Sequence, residues 1–122
     1  MKQTSKIYDL EERTAKFGEE VIKLCNTLKQ DAITRPLISQ LVRSATSIGA
    51  NYMEANGASS RKDFRNKIHL CKKEAQETKH WLRMLSGSMP NKREEFTNLW
   101  RESQELTLIF QKITSSLKAK SV

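Results

Sequence analysis

Apolar side chains recur three and four residues apart along four segments of this chain, which is the pattern of amphipathic helices that bury one face. The first of these apolar stripes begins at Ile7, and short polar connections separate the four segments. The pattern predicts an all-α chain with helices at about 9–29, 36–56, 61–86 and 92–118. Because the connections are short, consecutive helices should pack side by side in an antiparallel up-down-up-down four-helix bundle.

The stretch SATSIGANYMEANGASSRKDF, residues 44–64, resembles a flexible linker because Ser, Ala, Gly and Asn dominate it. Helical apolar spacing nevertheless continues through it, so we assign it to the end of the second helix, a tight turn and the start of the third. A glycine inside a helix costs up to about 1 kcal/mol relative to alanine. Gly49, between Ala45 and Ala50, therefore indicates a place where another helix approaches closely.

Residues that cap helices mark several of the predicted boundaries. Asp9 with Glu12, and Ser60 with Asp63, have the three-residue spacing of N-terminal capping pairs. Gly57 follows the second helix, where a residue in the left-handed conformation would close the last turn.

Composition places the chain in a broad class. Its 122 residues fit one domain, and no run approaches the ~18 apolar residues that a membrane span needs. The first ten residues lack the apolar segment of a signal peptide, so we expect a cytoplasmic protein without membrane contact. Cys25 and Cys71 are isolated in sequence, which favours buried free thiols over a disulfide or a metal site.

The net charge of +8 and the pI near 9.7 suit an anionic partner, either nucleic acid or an acidic protein surface. Much of this charge falls in the third predicted helix, where residues 61–83 carry eight Lys or Arg against three Asp or Glu. At about 100° per residue, five of the eight form one row beside the apolar core positions, and Lys62 and Lys73 continue it around the back. The predicted nucleic-acid-binding residues are Arg61, Lys62, Arg65, Lys72, Lys73, Lys79 and Arg83.

Such a row can follow a phosphate backbone, because each neutralised phosphate releases counterions. The alternative is a solvated face that only keeps the protein in solution. The row contains no aromatic residue able to stack on bases, which argues against sequence-specific reading of single strands.

The other flank of the third helix carries Leu70, Glu74 and Trp81, outside the apolar stripe. Tryptophan is enriched at the energetic centres of protein interfaces, so these residues are a candidate oligomer interface. Packing against a neighbouring helix of the same chain is the alternative.

Catalytic and metal-binding patterns are weak in this sequence. His69 and His80 are about 16 Å apart along a helix, too far to share a metal ion. Glu54 lacks a paired acid, and no Gly-rich phosphate loop or nucleophile motif is present. We therefore predict a non-enzymatic protein without a cofactor or metal.

The segments QLVRSATSIGANYMEANGASSRKDFRNKI and KKEAQETKHWLRML carry a more specific signal. They resemble the four-helix bundle family that includes the 23S rRNA intervening sequence proteins. The resemblance extends over most of the chain and is strongest over residues 40–85. Many relatives have a proline near Gly49-Ala50, which this chain lacks.

This resemblance implies a homopentamer of antiparallel bundles. It also implies a relation to the accessory variability determinant proteins of diversity-generating retroelements, which present a basic surface and work beside a reverse transcriptase. Together with the charge pattern, it predicts an oligomer that binds RNA or DNA without sequence preference and acts as an accessory to another nucleic-acid-processing protein. The alternative is a scaffold oligomer whose basic rim recruits an acidic protein partner.

Overall fold

A computed structural model describes the backbone of residues 9–121 and the side chains of residues 9–117. Within this described backbone the chain forms four long α-helices and one short 3-10 turn, with no strand. The elements are α1 (Leu10–Cys25), α2 (Thr34–Asn56), α3 (Arg61–Ser88), the 3-10 turn (Pro90–Lys92) and α4 (Arg93–Ser121). The all-α prediction is confirmed, while Ile7 lies outside the described residues.

Two predicted helix starts are confirmed by their capping bonds. The Asp9 carboxylate accepts a hydrogen bond from the backbone N–H of Glu12 at 3.2 Å. The Ser60 hydroxyl accepts one from the N–H of Asp63 at 3.0 Å. Each bond satisfies a donor that the first turn of a helix leaves without an intrahelical partner, which fixes where α1 and α3 begin.

The first helix is shorter than its apolar spacing predicts. It ends at Cys25, because the N–H of Asn26 is the last to bond four residues back, to Ile22, and those of Thr27 and Leu28 bond to carbonyls only three residues back. Such bonds tighten the chain into 3-10 geometry and end the α-helix. Leu28 is still buried, so its apolar position belongs to the core although it no longer belongs to the helix.

The prediction of a left-handed cap at Gly57 is wrong. Its φ is −98°, and no residue of the described backbone has a positive φ. The end of α2 is closed instead by bonds from the N–H groups of Gly57 and Ala58 to the carbonyls of Glu54 and Ala55. These bonds satisfy two of the last four carbonyls of the helix without a left-handed residue.

The helices share one continuous apolar core. Its fully buried members come from all four helices and include Val21, Leu41, Ile48, Ile68, Leu82, Leu106 and Phe110. The third helix packs extensively against both α2 and α4, whereas α1 packs against α2 and meets α4 at few positions. None of the described helices has an apolar stretch long enough to cross a bilayer.

Buried hydroxyl groups tie α3 to both of its neighbours. The Thr78 hydroxyl donates to the Ser44 hydroxyl of α2 at 2.9 Å. The Ser103 hydroxyl of α4 donates to the carbonyl of Ala75 at 2.7 Å. Because these buried groups are hydrogen-bonded, they can lie in the core without the cost of an unpaired polar atom. They hold α3 in a fixed position between α2 and α4.

Close approach of α1 and α2 occurs at Gly49, as the sequence predicts. A Cβ atom on Gly49 would lie 3.2 Å from Oγ1 of Thr14. At Gly18, which faces α2 from α1, a Cβ atom would lie 3.6 Å from Cα of Thr46. Small residues on both helices therefore allow this crossing.

Candidate nucleic-acid interface

The predicted nucleic-acid-binding residues share one electrostatic property in the structure. None of the seven forms an ion pair with a carboxylate of residues 9–117. Lys67, the remaining basic residue of the 61–83 segment, differs from them, because its Nζ lies 2.8 Å from the Glu54 carboxylate of α2. Lys73 acts electrostatically on Glu77 and helps to lower the pKa of that carboxyl, but no ion pair with a described carboxylate neutralises any of the seven. Their positive charges therefore remain for an anionic partner.

Five of these residues form what we call the basic stripe, consisting of Arg61, Arg65, Lys72, Lys79 and Arg83. Several of them reach toward α4. The Lys72 Nζ donates to the side-chain carbonyl of Gln111 at 2.7 Å, and the Lys79 Nζ donates to that of Gln104. An amide oxygen orients an ammonium group but does not neutralise it, so the stripe keeps its charge.

The two ends of the basic stripe also lie near α4. At one end, Nη2 of Arg61 donates to the carbonyl of Leu117 at 3.5 Å. At the other end, Arg83 lines a pocket between α3 and α4. Arg65, between them, is partly buried, and its Nε is enclosed without a hydrogen-bond partner among the described residues.

Lys62 and Lys73 are exposed and form no hydrogen bond with another described residue. They follow α3 on the side that the helical projection places behind the basic stripe. The structure therefore separates the seven predicted residues into a stripe beside α4 and two cations that extend it around α3.

Trp100 is the residue that sequence reasoning missed at this surface. The basic row itself contains no aromatic residue, but α4 supplies one beside it, because the Nζ of Lys79 lies 5.4 Å from the centre of the Trp100 ring. The Trp100 side chain is 38% exposed. The two helices form an antiparallel hairpin, as the Lys72–Gln111 and Lys79–Gln104 bonds show. Continuing that register pairs Arg83 with Trp100. The sequence alone does not give this register, so it carries no signal that could have found Trp100.

Comparison with known proteins supplies the family. Residues 6–117 match a sequence model of the 23S rRNA-intervening sequence protein family. The chain belongs to this family. It is also similar to a solved structure from Bacteroides thetaiotaomicron, described as a protein with unknown function from the S23 ribosomal protein family. The two chains are 32% identical with a TM-score of 0.76, over 85% of this chain and 96% of the other.

Neither the description of the 23S rRNA-intervening sequence protein family nor that of the Bacteroides protein names an enzymatic activity. No match was found among curated proteins. The relation to the accessory variability determinant proteins rests on neither finding and stays a prediction.

In this member of the 23S rRNA-intervening sequence family, the opposite flank of α3 makes contacts within the chain. The Glu74 carboxylate lies 3.3 Å from Nη1 of Arg43, and one of its oxygens is buried without a hydrogen bond in the described structure. The indole N–H of Trp81 donates to the Glu77 carboxylate at 3.2 Å, and the ring packs partly buried against the core. Leu70 is 40% exposed.

Arg43 of α2 also bonds to Glu77, which lowers the pKa of that carboxyl below its ordinary value because a guanidinium stabilises the ionised form. The three predicted interface residues are therefore not equivalent. Leu70 is the most open of them to a second copy.

Candidate metal ligands do not gather within the described side chains, where no three His, Cys, Asp or Glu residues lie close enough to hold one ion. Cys25 and Cys71 are buried and free, as the sequence predicts. Burial raises the pKa of the Cys25 thiol to about 11 and that of Cys71 to about 12. Thiols of this kind are protonated near neutral pH and are poor nucleophiles.

Proposed function

We propose that this protein is a non-enzymatic, oligomeric helical bundle that binds RNA or DNA without sequence preference. The single observation that carries the proposal is that seven basic residues of one helix form no ion pair with a carboxylate of the described side chains. Lys67 in the same helix shows how the fold neutralises a cation where a carboxylate is in reach. The family description refers to 23S rRNA, which supports nucleic acid as the anionic partner.

The length of the basic stripe suits a polyanion. From Arg61 to Arg83 the helix rises about 33 Å at 1.5 Å per residue. This distance is close to one turn of a nucleic-acid duplex, about 34–36 Å. Cations spread over that distance can contact several phosphates, and such contacts carry affinity but little sequence information.

The proposal includes a finer arrangement of the chain. We infer an up-down-up-down bundle that assembles into a homopentamer, and the antiparallel bonding of α3 with α4 supports the first part of this inference. The exposed Leu70 supports a contact between copies on the flank that also carries Glu74 and Trp81. Light scattering at ~0.15 M salt should then give five subunits, and a clean monomer would reject the assembly.

The cellular setting is part of the same proposal. A cytoplasmic location fits a family described by 23S rRNA. We propose that the protein is an accessory to a second nucleic-acid-processing protein, such as a reverse transcriptase, because a surface that binds phosphates without sequence preference can hold a template for another active site. The alternative of a scaffold that recruits an acidic protein gains no support from the family or from the similar structure.

A pair of matched variants tests the proposal. Arg65→Gln with Lys72→Gln removes two charges from the basic stripe, and Lys16→Gln with Lys23→Gln removes two exposed charges from α1. The α3 variant should lose affinity for unrelated RNA and DNA sequences to about the same extent. The slope of the logarithm of its binding constant against the logarithm of salt should become shallower by around one per lost contact. The α1 variant should bind like the unmodified protein.

Both variants should form an assembly of the same size as the unmodified protein in solution, because the substituted residues lie away from Leu70, the proposed contact between copies. Equal losses of affinity in the two variants would show that net charge, rather than the basic stripe, attracts nucleic acid. Loss of the oligomer in the α3 variant would assign the stripe to assembly instead.

A further inference from the structure

A pocket of about 350 Å³ lies at one end of the basic stripe, where the last turns of α3 face the first turns of α4. Its floor is apolar, since Leu82 and Phe96 are almost completely buried. Arg83 and Arg93 line it, together with the Trp100 ring and two small hydroxyl side chains. The size falls within the range of small-molecule pockets in proteins.

The electrostatics of this pocket are one-sided. None of its lining residues is acidic, and neither Arg83 nor Arg93 forms an ion pair with a carboxylate of the described side chains. The N-terminus of α4, which begins at Arg93, adds the positive end of a helix dipole. Glu94 and Glu95 lie in the same first turn and oppose it, but neither lines the pocket. Lys79 lies beside the indole and is held there by Gln104. The pocket thus combines an aromatic ring with arginines from both helices.

An aromatic ring and guanidinium groups around an apolar floor match the chemistry of a nucleotide. A base presents a π-face to an indole, and base–aromatic stacking is tolerant of sequence because every base has such a face. Arginine pairs with phosphate oxygens through two parallel N–H donors. An acidic peptide would satisfy the arginines but would leave the indole without a flat partner.

We propose that this pocket holds one unpaired nucleobase of a single strand, with the base beside Trp100 and the adjoining phosphates at Arg83 and Arg93. The inference rests on the proposed function and adds a preference to it. A duplex keeps its bases paired inside, so it can use the basic stripe but not the pocket. Single strands, loops and ends should bind more tightly than a duplex of equal length.

Binding of a labelled oligothymidine of about 12 nucleotides and of a duplex of the same length tests this preference. Trp100→Leu should weaken single-strand binding about tenfold, because one stacked base is lost, and should leave duplex binding unchanged. Trp100→Phe keeps a ring and should retain most of the affinity. Leu108→Ala is the matched control, because Leu108 is exposed on the same helix and does not line the pocket.

A second variant removes the pocket without touching the aromatic ring. Gly87 lines the pocket, and a Cβ there would meet nothing within 4 Å. Gly87→Leu should therefore fold normally and weaken the single-strand complex by occluding the pocket. The chain has a second tryptophan, Trp81, so the quenching by a trinucleotide that disappears in Trp100→Phe is the part that reports on the pocket. Lys16→Gln with Lys23→Gln should leave that part unchanged.

The outcomes separate this inference from the proposed function. If single strands and duplexes bind equally and neither Trp100→Leu nor Gly87→Leu changes this, the pocket proposal fails while the basic stripe keeps its role. If the unmodified protein binds neither oligonucleotide, both proposals fail. If Trp100→Leu lowers the molar mass and weakens both complexes alike, the ring belongs to a contact between copies and the pocket proposal is overturned.

Discussion

Gly49→Leu probes the closest approach between α1 and α2. The Cβ of the new side chain would lie 3.2 Å from Oγ1 of Thr14 and 3.6 Å from its Cβ. Thr14 is 1% exposed, and its hydroxyl donates to the carbonyl of Leu10 at 2.7 Å. Moving that side chain would disturb a buried hydrogen bond worth about 1 kcal/mol. The neighbour therefore has little freedom to make room.

The expected loss of stability follows from three contributions. Overpacking a tight helix crossing costs about 1–3 kcal/mol, and the disturbed Thr14 hydrogen bond adds about 1 kcal/mol. Better helix propensity returns about 0.8 kcal/mol. The net destabilisation is about 1–3 kcal/mol, which for a chain of this length lowers the Tm by about 4–12 °C.

Thermal unfolding by circular dichroism at one fixed protein concentration measures this effect, since the stability of an oligomer depends on concentration. Gly87→Leu is the control, because a Cβ at Gly87 meets nothing within 4 Å, and it should leave the Tm unchanged or raise it slightly. A Tm of Gly49→Leu at or above that of the unmodified protein would refute the close-approach reasoning.

Two further predictions concern titratable groups. Cys25 and Cys71 should resist alkylation at pH 8 in the native protein and react in denaturant, because burial raises the pKa of both thiols. Mass spectrometry measures the modification, and rapid alkylation of the native protein would contradict their burial. The pKa of Glu77 is lowered chiefly by its hydrogen bond from Arg43, so its contribution to stability is complete above about pH 5 and is lost as the pH falls through the lowered pKa. The Tm of Glu77→Gln should accordingly fall less between about pH 7 and about pH 3 than the Tm of the unmodified protein. An equal fall in Tm in the two proteins would argue against the pairing with Arg43.

The sequence was sufficient to predict the features that depend on spacing within one helix. The basic stripe follows from 3.6 residues per turn, so Lys72 and Lys79 could be placed on one side of α3 before any packing was known. The caps at Asp9 and Ser60 follow from short-range hydrogen bonding. Both kinds of feature are local, and local chemistry decides them.

Features that depend on the register between helices were beyond the same reasoning. Trp100 lies beside the basic stripe only because the turn between α3 and α4 sets which residues face one another. The end of α1 was missed for a different reason. Leu28 is apolar and buried whether the chain around it is helical or not, so periodicity alone could not show that the helix ends at Cys25.

Binding of the unmodified protein to random-sequence RNA and DNA over a series of salt concentrations tests the central claim most directly. If the basic stripe contacts phosphates, the logarithm of the binding constant should fall linearly with the logarithm of salt, with a slope of several units for both nucleic acids. At ~0.1 M salt, where screening acts over about 10 Å, binding should still be measurable. No detectable binding at that salt concentration, or a slope near zero, would show that the cations of α3 form only a solvated face.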